Sequence, residues 1–174
     1  TVNGTLNASG TLNAGKDFSF SKETKITASD VVSNTGGGDV FGGSVAIDGN
    51  YAIVGAYNDL TNGVYTGSAY IFNVTTGTEL HKVIDITGAA GDGFGWSVAI
   101  SGNYAGVGGL LDDNDGMINN GSVFIFNVTT GTQLYKLTAN DAVDGDMFGV
   151  SVAISGNYAI VGARFDDDNG SNSG

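Results

Sequence analysis

The sequence predicts an all-β fold made of β-propeller blades, and three observations support this prediction. Apolar residues make up 41% of the chain and charged residues only 14%, and 30 of the 174 residues are glycine. Glycine, asparagine and serine supply turn geometry, which favours short strands joined by tight turns. Helical spacing of apolar residues is absent. The third observation is an internal repeat of about 53 residues.

The repeat is defined by a seven-residue segment that begins at Phe41, Phe94 and Phe148, with spacings of 53 (94 − 41) and 54 (148 − 94) residues. Each copy continues through Gly-Asn-Tyr-Ala to a Val-Gly pair, and a twelve-residue match joins 67–78 to 121–132. The strands predicted in the first two units are 44–48, 51–56, 68–74 and 79–86, then 97–101, 104–109, 122–128 and 133–139. Four antiparallel strands in a unit of this length are typical of a propeller blade.

The repeat divides the chain into about three blades' worth of sequence, which is an incomplete ring. We predict a Thr/Asn/Gly-rich lead-in at 1–38 with a half blade at 16–32, blades at 39–91 and 92–145, and the first half of a further blade at 146–174. The half blade is inferred because 24–30 parallels 135–141. Open propeller edges expose unpaired strands. Either the remaining blades belong to a longer protein or copies associate, and the first is favoured because the sequence ends where a third strand would begin.

The segment Phe-Gly-x-Ser-Val-Ala-Ile, followed by Val-Gly-Ala, resembles the FG-GAP repeat family over residues 39–174. This family is known from integrin α-chain propellers and many bacterial surface proteins, and its members usually close with about seven blades. Integrin-type blades often hold calcium in an Asp-x-Asp-x-Asp-Gly loop between strands one and two. Here that turn is as short as 48–50, too short to surround an ion with six or more oxygens. The family's calcium sites are therefore not expected at these turns.

The charge of the chain excludes several functions. A net charge of −12 repels nucleic acid and anionic membranes. No apolar run of 18 residues is present, so the sequence predicts no membrane span. The chain has no cysteine, which excludes disulfides and thiolate metal sites.

Strand direction predicts that the long loops share one face of the blades. The loops between strands two and three (58–66, 112–120 and 166–173) should lie beside the loops that connect successive blades. Oxygen ligands suit Ca²⁺, and the candidate ligands in these loops are Asp112, Asp113, Asn114, Asp115, Asp166, Asp167 and Asp168. Their spacing does not match an EF-hand loop, and solvated Asx-rich turns explain them as well. The aspartates two residues before each repeat phenylalanine (Asp39, Asp92 and Asp146) are expected to accept hydrogen bonds in turns.

Positions that differ between repeats are not required by the common fold, so they are candidates for ligand binding. One position holds Tyr57, Leu110 and Arg164 in successive units, and another holds Gly43, Trp96 and Val150. Tyr57 and Trp96 have rings that stack on a sugar, and Arg164 has a guanidinium that pairs with a carboxylate. The alternative is packing between blades for Trp96 and unconstrained surface variation for the others.

The sequence offers little for catalysis, since its single histidine, His81, aligns with Tyr135 on a predicted surface strand and no serine lies in a nucleophile elbow. We therefore predict a non-catalytic, extracellular or surface-exposed propeller module for adhesion, recognition or scaffolding. Its expected partners are a surface protein or glycan, or the remaining blades or further copies of the same protein. The alternatives are a structural segment of a larger particle or filament, such as a virion appendage, and an accessory propeller of a larger secreted enzyme.

Overall fold

Twelve β-strands and no helix form in the residues that the computed structural model describes, which are 24–30, 38–61, 63–168, 170 and 173–174. The strands are β1 (Ser44–Asp48), β2 (Tyr51–Ala56), β3 (Leu60–Thr61), β4 (Val64–Tyr65), β5 (Ser68–Asn73), β6 (Thr78–Val83), β7 (Phe94–Ser101), β8 (Tyr104–Gly109), β9 (Ser122–Asn127), β10 (Gln133–Leu137), β11 (Phe148–Ser155) and β12 (Tyr158–Ala163).

The strands form two four-stranded antiparallel sheets and a further strand pair. The first sheet has the order β1-β2-β5-β6, the second β7-β8-β9-β10, and β11 pairs with β12. A small hairpin, β3–β4, lies within the loop between β2 and β5. The described sheets do not close a ring, and this confirms the prediction of an all-β, incomplete propeller.

Identical sequences build identical turns in the two sheets. The side-chain Oδ1 of Asn73 accepts hydrogen bonds from the main-chain N of Thr75 and Thr76 at 2.9 and 3.1 Å. Asn127 accepts the same pair of bonds in the second sheet, at 2.9 and 3.0 Å. An asparagine that caps its own turn leaves no main-chain donor unsatisfied, which explains why the Asn-Val-Thr-Thr-Gly segment recurs.

The main core lies between the sheets. Ile53 of β2 packs with Val98 and Ile100 of β7, and all three are buried. Strands β7 and β8 are buried on both faces except near their ends, because neighbouring strands cover both sides. In the second sheet, the apolar run of the repeat is therefore buried nearly throughout.

The main chains of successive sheets also approach too closely for side chains. A β-carbon added to Gly55 in β2 would lie 2.0 Å from the carbonyl oxygen of Gly95 in β7. At the next boundary, a β-carbon on Gly108 would lie 2.1 Å from the carbonyl oxygen of Gly149. Glycine is required at these positions because backbone from the neighbouring sheet fills the space of a side chain. The Phe-Gly and Val-Gly pairs of the repeat are thus the contact points between sheets.

Residues 24–30 pack against the side of the first sheet that faces away from the second. Ala28 is buried there with Tyr70 and Phe72. A β-carbon on Gly77 would meet the Thr24 side chain at 2.9 Å, and one on Gly131 would meet His81 at 2.7 Å. The contact at Thr24 therefore repeats the contact at His81, a residue of the fourth strand of the first sheet. The predicted domain bounds stay predictions, and most of the half blade at 16–32 lies outside the described residues.

Candidate functional site

The long loops meet on one side of the sheets, which we call the loop face. The main-chain N of Phe94, which starts the second sheet, donates to the carbonyl of Thr66 at 3.0 Å, and Gly91 donates to Tyr65 at 2.9 Å. At the next boundary Phe148 donates to Asn120 at 2.8 Å. These bonds join the two-to-three loop of one unit to the connection that follows it. The predicted sharing of one face by these loops is confirmed.

Tyr57 and Trp96 come together at the boundary between the first and second sheets. Their ring centroids are 4.8 Å apart and their planes are tilted by 52°. Trp96 keeps 39% of its surface exposed. Tyr57 is half-buried, and a β-carbon on Gly43 would lie 3.2 Å from its ring. The absence of a side chain at Gly43 thus leaves room for the tyrosine beside the tryptophan.

A β-bulge presents the Trp96 side chain. The β7–β8 pairing shifts register between Phe94 and Ser97, so Gly95 and Trp96 are the extra residues. Gly95 has a φ of 95°, in the region that favours glycine. A bulge re-aims the side chain it carries, and here it places the indole at the loop face.

Arg164 does not join this aromatic pair. It occupies the position of Tyr57 two units further along, after β12. Its guanidinium lies over the ring of Phe165, with 4.5 Å between the guanidinium carbon and the ring centroid. The three candidate binding residues are therefore divided between a pair and a single exposed arginine.

The acidic loop at 112–115 holds some of its polar groups in hydrogen bonds to its own backbone and to neighbouring residues. The buried carboxylate of Asp112 accepts a hydrogen bond from Ser122 Oγ and forms an ion pair with Lys136 Nζ. Asp113 accepts from the main-chain N of Asn119 at 2.7 Å, while Asn114 donates to Ser122 Oγ at 2.9 Å. Asp115 is exposed. As ligands of one ion, these four residues stay a prediction.

The second acidic loop is more open to solvent. Asp166 accepts a hydrogen bond from the main-chain N of Asp168 at 3.1 Å, and Asp167 is exposed. The carboxylate of Asp141 raises the pKa of Asp168, with Asp166 adding to the effect. Like charge therefore gathers here, and metal binding by Asp166, Asp167 and Asp168 also stays a prediction.

The aspartates that precede the repeat phenylalanines are turn acceptors. Asp92 accepts from the main-chain N of Ala89, and Asp146 accepts from Val143 at 2.7 Å. The prediction is confirmed for these two positions. Asp39, the third member, is buried as they are.

The structure also reveals a group that sequence reasoning missed, the aspartate cluster Asp85, Asp92 and Asp112. All three side chains are buried, and each offers a carboxylate oxygen within 4.8 Å of the others. Burial raises the pKa of Asp92 to about 6, and the Asp112 and Asp85 carboxylates raise it too, against the hydrogen bond from Ala89. One cation contacts the cluster, since Lys136 Nζ lies 2.7 Å from Asp112 Oδ2.

A groove of about 430 Å³ lies between the second sheet and the β11–β12 pair. Tyr104, Tyr135 and Tyr158 line it. Between the first and second sheets, the turn after β9 contacts β6 at the corresponding place. There His81 Nε2 lies 2.9 Å from the carbonyl oxygen of Thr129. The groove marks the place where the outer strands of a third blade would pack.

The motifs that recur along the described strands match a known family of sequence repeats. The model of the FG-GAP repeat matches residues 20–72, 78–126 and 132–174, which is most of the chain. The chain belongs to the FG-GAP repeat family. The second and third matches start at the fourth strand of one sheet, β6 or β10, and continue into the first strands of the next, so the sequence unit of this FG-GAP protein straddles a blade boundary.

A search of curated proteins found no match. Among solved structures, hydrazine synthase of Kuenenia stuttgartiensis is similar, with a TM-score of 0.45 and 15% sequence identity. The match covers 76% of this chain and 32% of that one, so the FG-GAP chain spans about a third of its length.

The turns between the first two strands of successive units contact one another. The Asp48 carboxylate, next to the β1–β2 turn, accepts a hydrogen bond from the main-chain N of Gly102 at 2.7 Å. At the following boundary Ser101 Oγ accepts from Gly156 N at 3.1 Å. These turns tie successive sheets together.

No helix in the described part of the chain has the length and apolarity needed to cross a membrane.

Proposed function

We propose that this chain is a recognition module of an extracellular or surface-exposed FG-GAP propeller, which binds a protein or glycan through the loop face without catalysing a reaction. The observation that carries the proposal is the Tyr57–Trp96 pair. Aromatic faces with a half-exposed edge suit stacking on a sugar ring or packing around a protein side chain.

Three properties of the pair support binding. Its residues stand at positions that differ between repeats, so the fold does not demand them. The bulge at Gly95–Trp96 presents the indole on the side where loops of different length and sequence are collected. The low charge density of the rings contrasts with the acidic loops around them, and this combination favours a neutral or hydroxyl-rich ligand over an anion.

The repeat supplies matched variants for a test. Trp96→Val and Tyr57→Leu copy Val150 and Leu110, which the fold accepts at the same positions. Glycan arrays and surface pull-downs with the 174-residue chain would identify a ligand, and calorimetry would measure its affinity. We expect each variant to weaken binding at least about tenfold, since an aromatic hot-spot residue contributes about 2 kcal/mol or more and about 1.4 kcal/mol corresponds to tenfold. Tyr135 is an exposed aromatic residue away from the pair, so the control Tyr135→Ala should leave affinity unchanged.

The proposal fails if no ligand binds at high micromolar concentration, or if Trp96→Val and Tyr57→Leu bind as the unaltered chain does. Circular dichroism of both variants separates loss of the contact from loss of the fold.

A second candidate function is that of a structural segment that assembles with further blades or copies. Exposed apolar residues on the first and last described sheets favour it. Val45 and Ile47 are 68% and 69% exposed, whereas their counterparts at the internal boundary, Val98 and Ile100, are buried. At the other end Ile160 is 74% exposed, and its counterpart Ile53 is fully buried. These exposures support pairing of the two end faces in the manner of the internal boundary.

Sedimentation velocity over a wide concentration range tests this candidate. If the end faces pair between copies, the chain should associate head to tail, and Ile160→Glu should return it to the monomer because a carboxylate would enter an apolar interface. A chain that stays monomeric at high micromolar concentration would speak against assembly from copies of this segment.

A further inference from the structure

We propose that the aspartate cluster Asp85, Asp92 and Asp112 is a binding site for a hard divalent cation, Ca²⁺ in particular. The site lies at the boundary between the first and second sheets, away from the β1–β2 turns and from the exposed part of the 112–115 loop. It stands on residues that the recognition proposal does not use, so the two proposals succeed or fail separately.

The first argument is charge. Among the described residues, Lys136 is the one cation that forms an ion pair with the cluster, and three carboxylates with its ammonium leave a formal charge of −2 (−3 + 1) in a buried place. Carboxylates are rarely buried together unless they are paired or coordinate a metal ion. A divalent cation would balance this charge completely.

The second argument is an oxygen without a partner. Asp85 is 94% buried, since its exposed fraction is 6%. Its Oδ1 accepts hydrogen bonds from the main-chain N and the side-chain Oγ1 of Thr87, at 2.8 and 2.7 Å. Its Oδ2 is buried with no hydrogen-bond partner in the described part of the chain. A buried carboxylate oxygen of this kind is costly, and the oxygen left over is the one available to the cluster.

The third argument is geometry and donor type. The carboxylate oxygens lie within 4.8 Å of one another. Two oxygens on opposite sides of a Ca²⁺ ion are separated by about 4.8 Å, because each bond is about 2.4 Å. Mg²⁺ demands near-octahedral geometry and gives up its water ligands reluctantly, so a buried set of carboxylates favours Ca²⁺. The ligands are all oxygen, which disfavours zinc and copper.

The repeat shows that the third ligand is specific to this boundary. The stretch from Lys82 to Phe94 is as long as that from Lys136 to Phe148, so Asp85 aligns with Ala139. The other two positions hold aspartate in the next unit as well, as Asp146 and Asp166. The common fold therefore does not require a carboxylate at residue 85. A bound ion would fasten the connection between β6 and β7 to the loop after β8.

The test is calorimetric titration of CaCl₂ into the chelator-treated 174-residue chain, with thermal unfolding in calcium and in chelator. We expect saturable binding and a higher Tm in calcium, because an ion that binds only the folded state stabilises it. Asp85→Asn keeps the shape and the Thr87 acceptor, and Asp85→Ala copies Ala139. Both should weaken Ca²⁺ binding at least about tenfold. The control Asp115→Asn changes an exposed aspartate of the neighbouring loop and should bind as the unaltered chain does.

Several results would overturn the proposal. These are no heat of binding with an unchanged Tm in the unaltered chain, equal affinity in the Asp85 variants, and loss of binding in Asp115→Asn with retention in Asp85→Asn. The last result would place the ion in the exposed loop instead. If both Asp85 variants unfold, a crystal structure grown in CaCl₂ decides, since density about 2.3–2.6 Å from all three carboxylates is required.

Discussion

Replacing Gly55 by alanine should separate the first two sheets. The added β-carbon would lie 2.0 Å from the carbonyl oxygen of Gly95, and ordinary contact begins at 3.4 Å. The two main chains would have to move apart by about 1.4 Å (3.4 − 2.0), because the obstacle is backbone and has no rotamer to change. A gap of that size also strips contacts from Ile53, Val98 and Ile100, which pack across the same boundary.

Overpacking of this kind costs about 3 kcal/mol or more. In a chain of this size each kcal/mol lowers Tm by about 2–4 °C, so Gly55→Ala should lower it by about 6–12 °C. Differential scanning calorimetry or thermal circular dichroism measures the shift.

The chain contains its own control. Residues 158–163 have the same sequence as 51–56, so Gly162 stands at the position of Gly55. A β-carbon on Gly162 would meet the Ser151 hydroxyl at 2.5 Å, and that hydroxyl can rotate away. Gly162→Ala should therefore change stability by less than about 1 kcal/mol, helped by the lower chain entropy of alanine. Equal shifts in the two variants would refute the account of inter-sheet main-chain contact.

Two other substitutions test packing and electrostatics. Phe94→Ala should cost about 3–5 kcal/mol in urea denaturation, because the ring is buried against Phe124 and Phe126 at centroid distances of 5.2 and 6.0 Å. Phe148→Ala, at the same position but only half-buried, should cost clearly less, and equal costs would contradict this. Burial raises the pKa of Asp30, but bonds from Lys82 and Tyr70 outweigh it and hold the pKa below its usual 3.8. A lowered folded-state pKa gives stability that is present above about pH 3.9 and is lost as the pH falls through the folded value, so the advantage of the unaltered chain over Asp30→Asn should shrink on acidification. A stability difference that stays constant from pH 6 to pH 2 would show that Asp30 is not held in its charged form.

The repeat made most of the fold predictable. Strands 44–48, 51–56 and 104–109 were predicted with the bounds that the structure shows, because each unit could be read against the others. Strand β7 starts at Phe94, three residues before the predicted start at 97. Gly95 suggests a break in a strand, whereas the chain absorbs it as a bulge and resumes pairing. The β3–β4 hairpin was missed because strands of two residues leave no periodic pattern.

The candidate sites were predictable only in part. The sequence singled out Tyr57 and Trp96 as positions that differ between repeats, but their contact across the boundary between sheets required the structure. Asp85 was overlooked because it follows a surface strand and looks like one more solvated acid in a chain of net charge −12. The comparison that singled out Tyr57 and Trp96 also applies to it, since alanine stands at the same place in the next unit. Its burial depends on how the connection folds back between two sheets, and a linear sequence does not show that.

The glycine contacts between sheets have a consequence for how such proteins diversify. Since main chain rests on main chain at Gly55–Gly95 and at Gly108–Gly149, the distance and angle between neighbours do not depend on which side chains surround them. Loops can lengthen, and aromatic, acidic or small residues can replace one another on the rim, while the curvature of the array is preserved. Duplication of a unit therefore adds a blade that already carries the glycine contacts to its neighbours. New binding surfaces can then arise in the loops while the packing between sheets is unchanged.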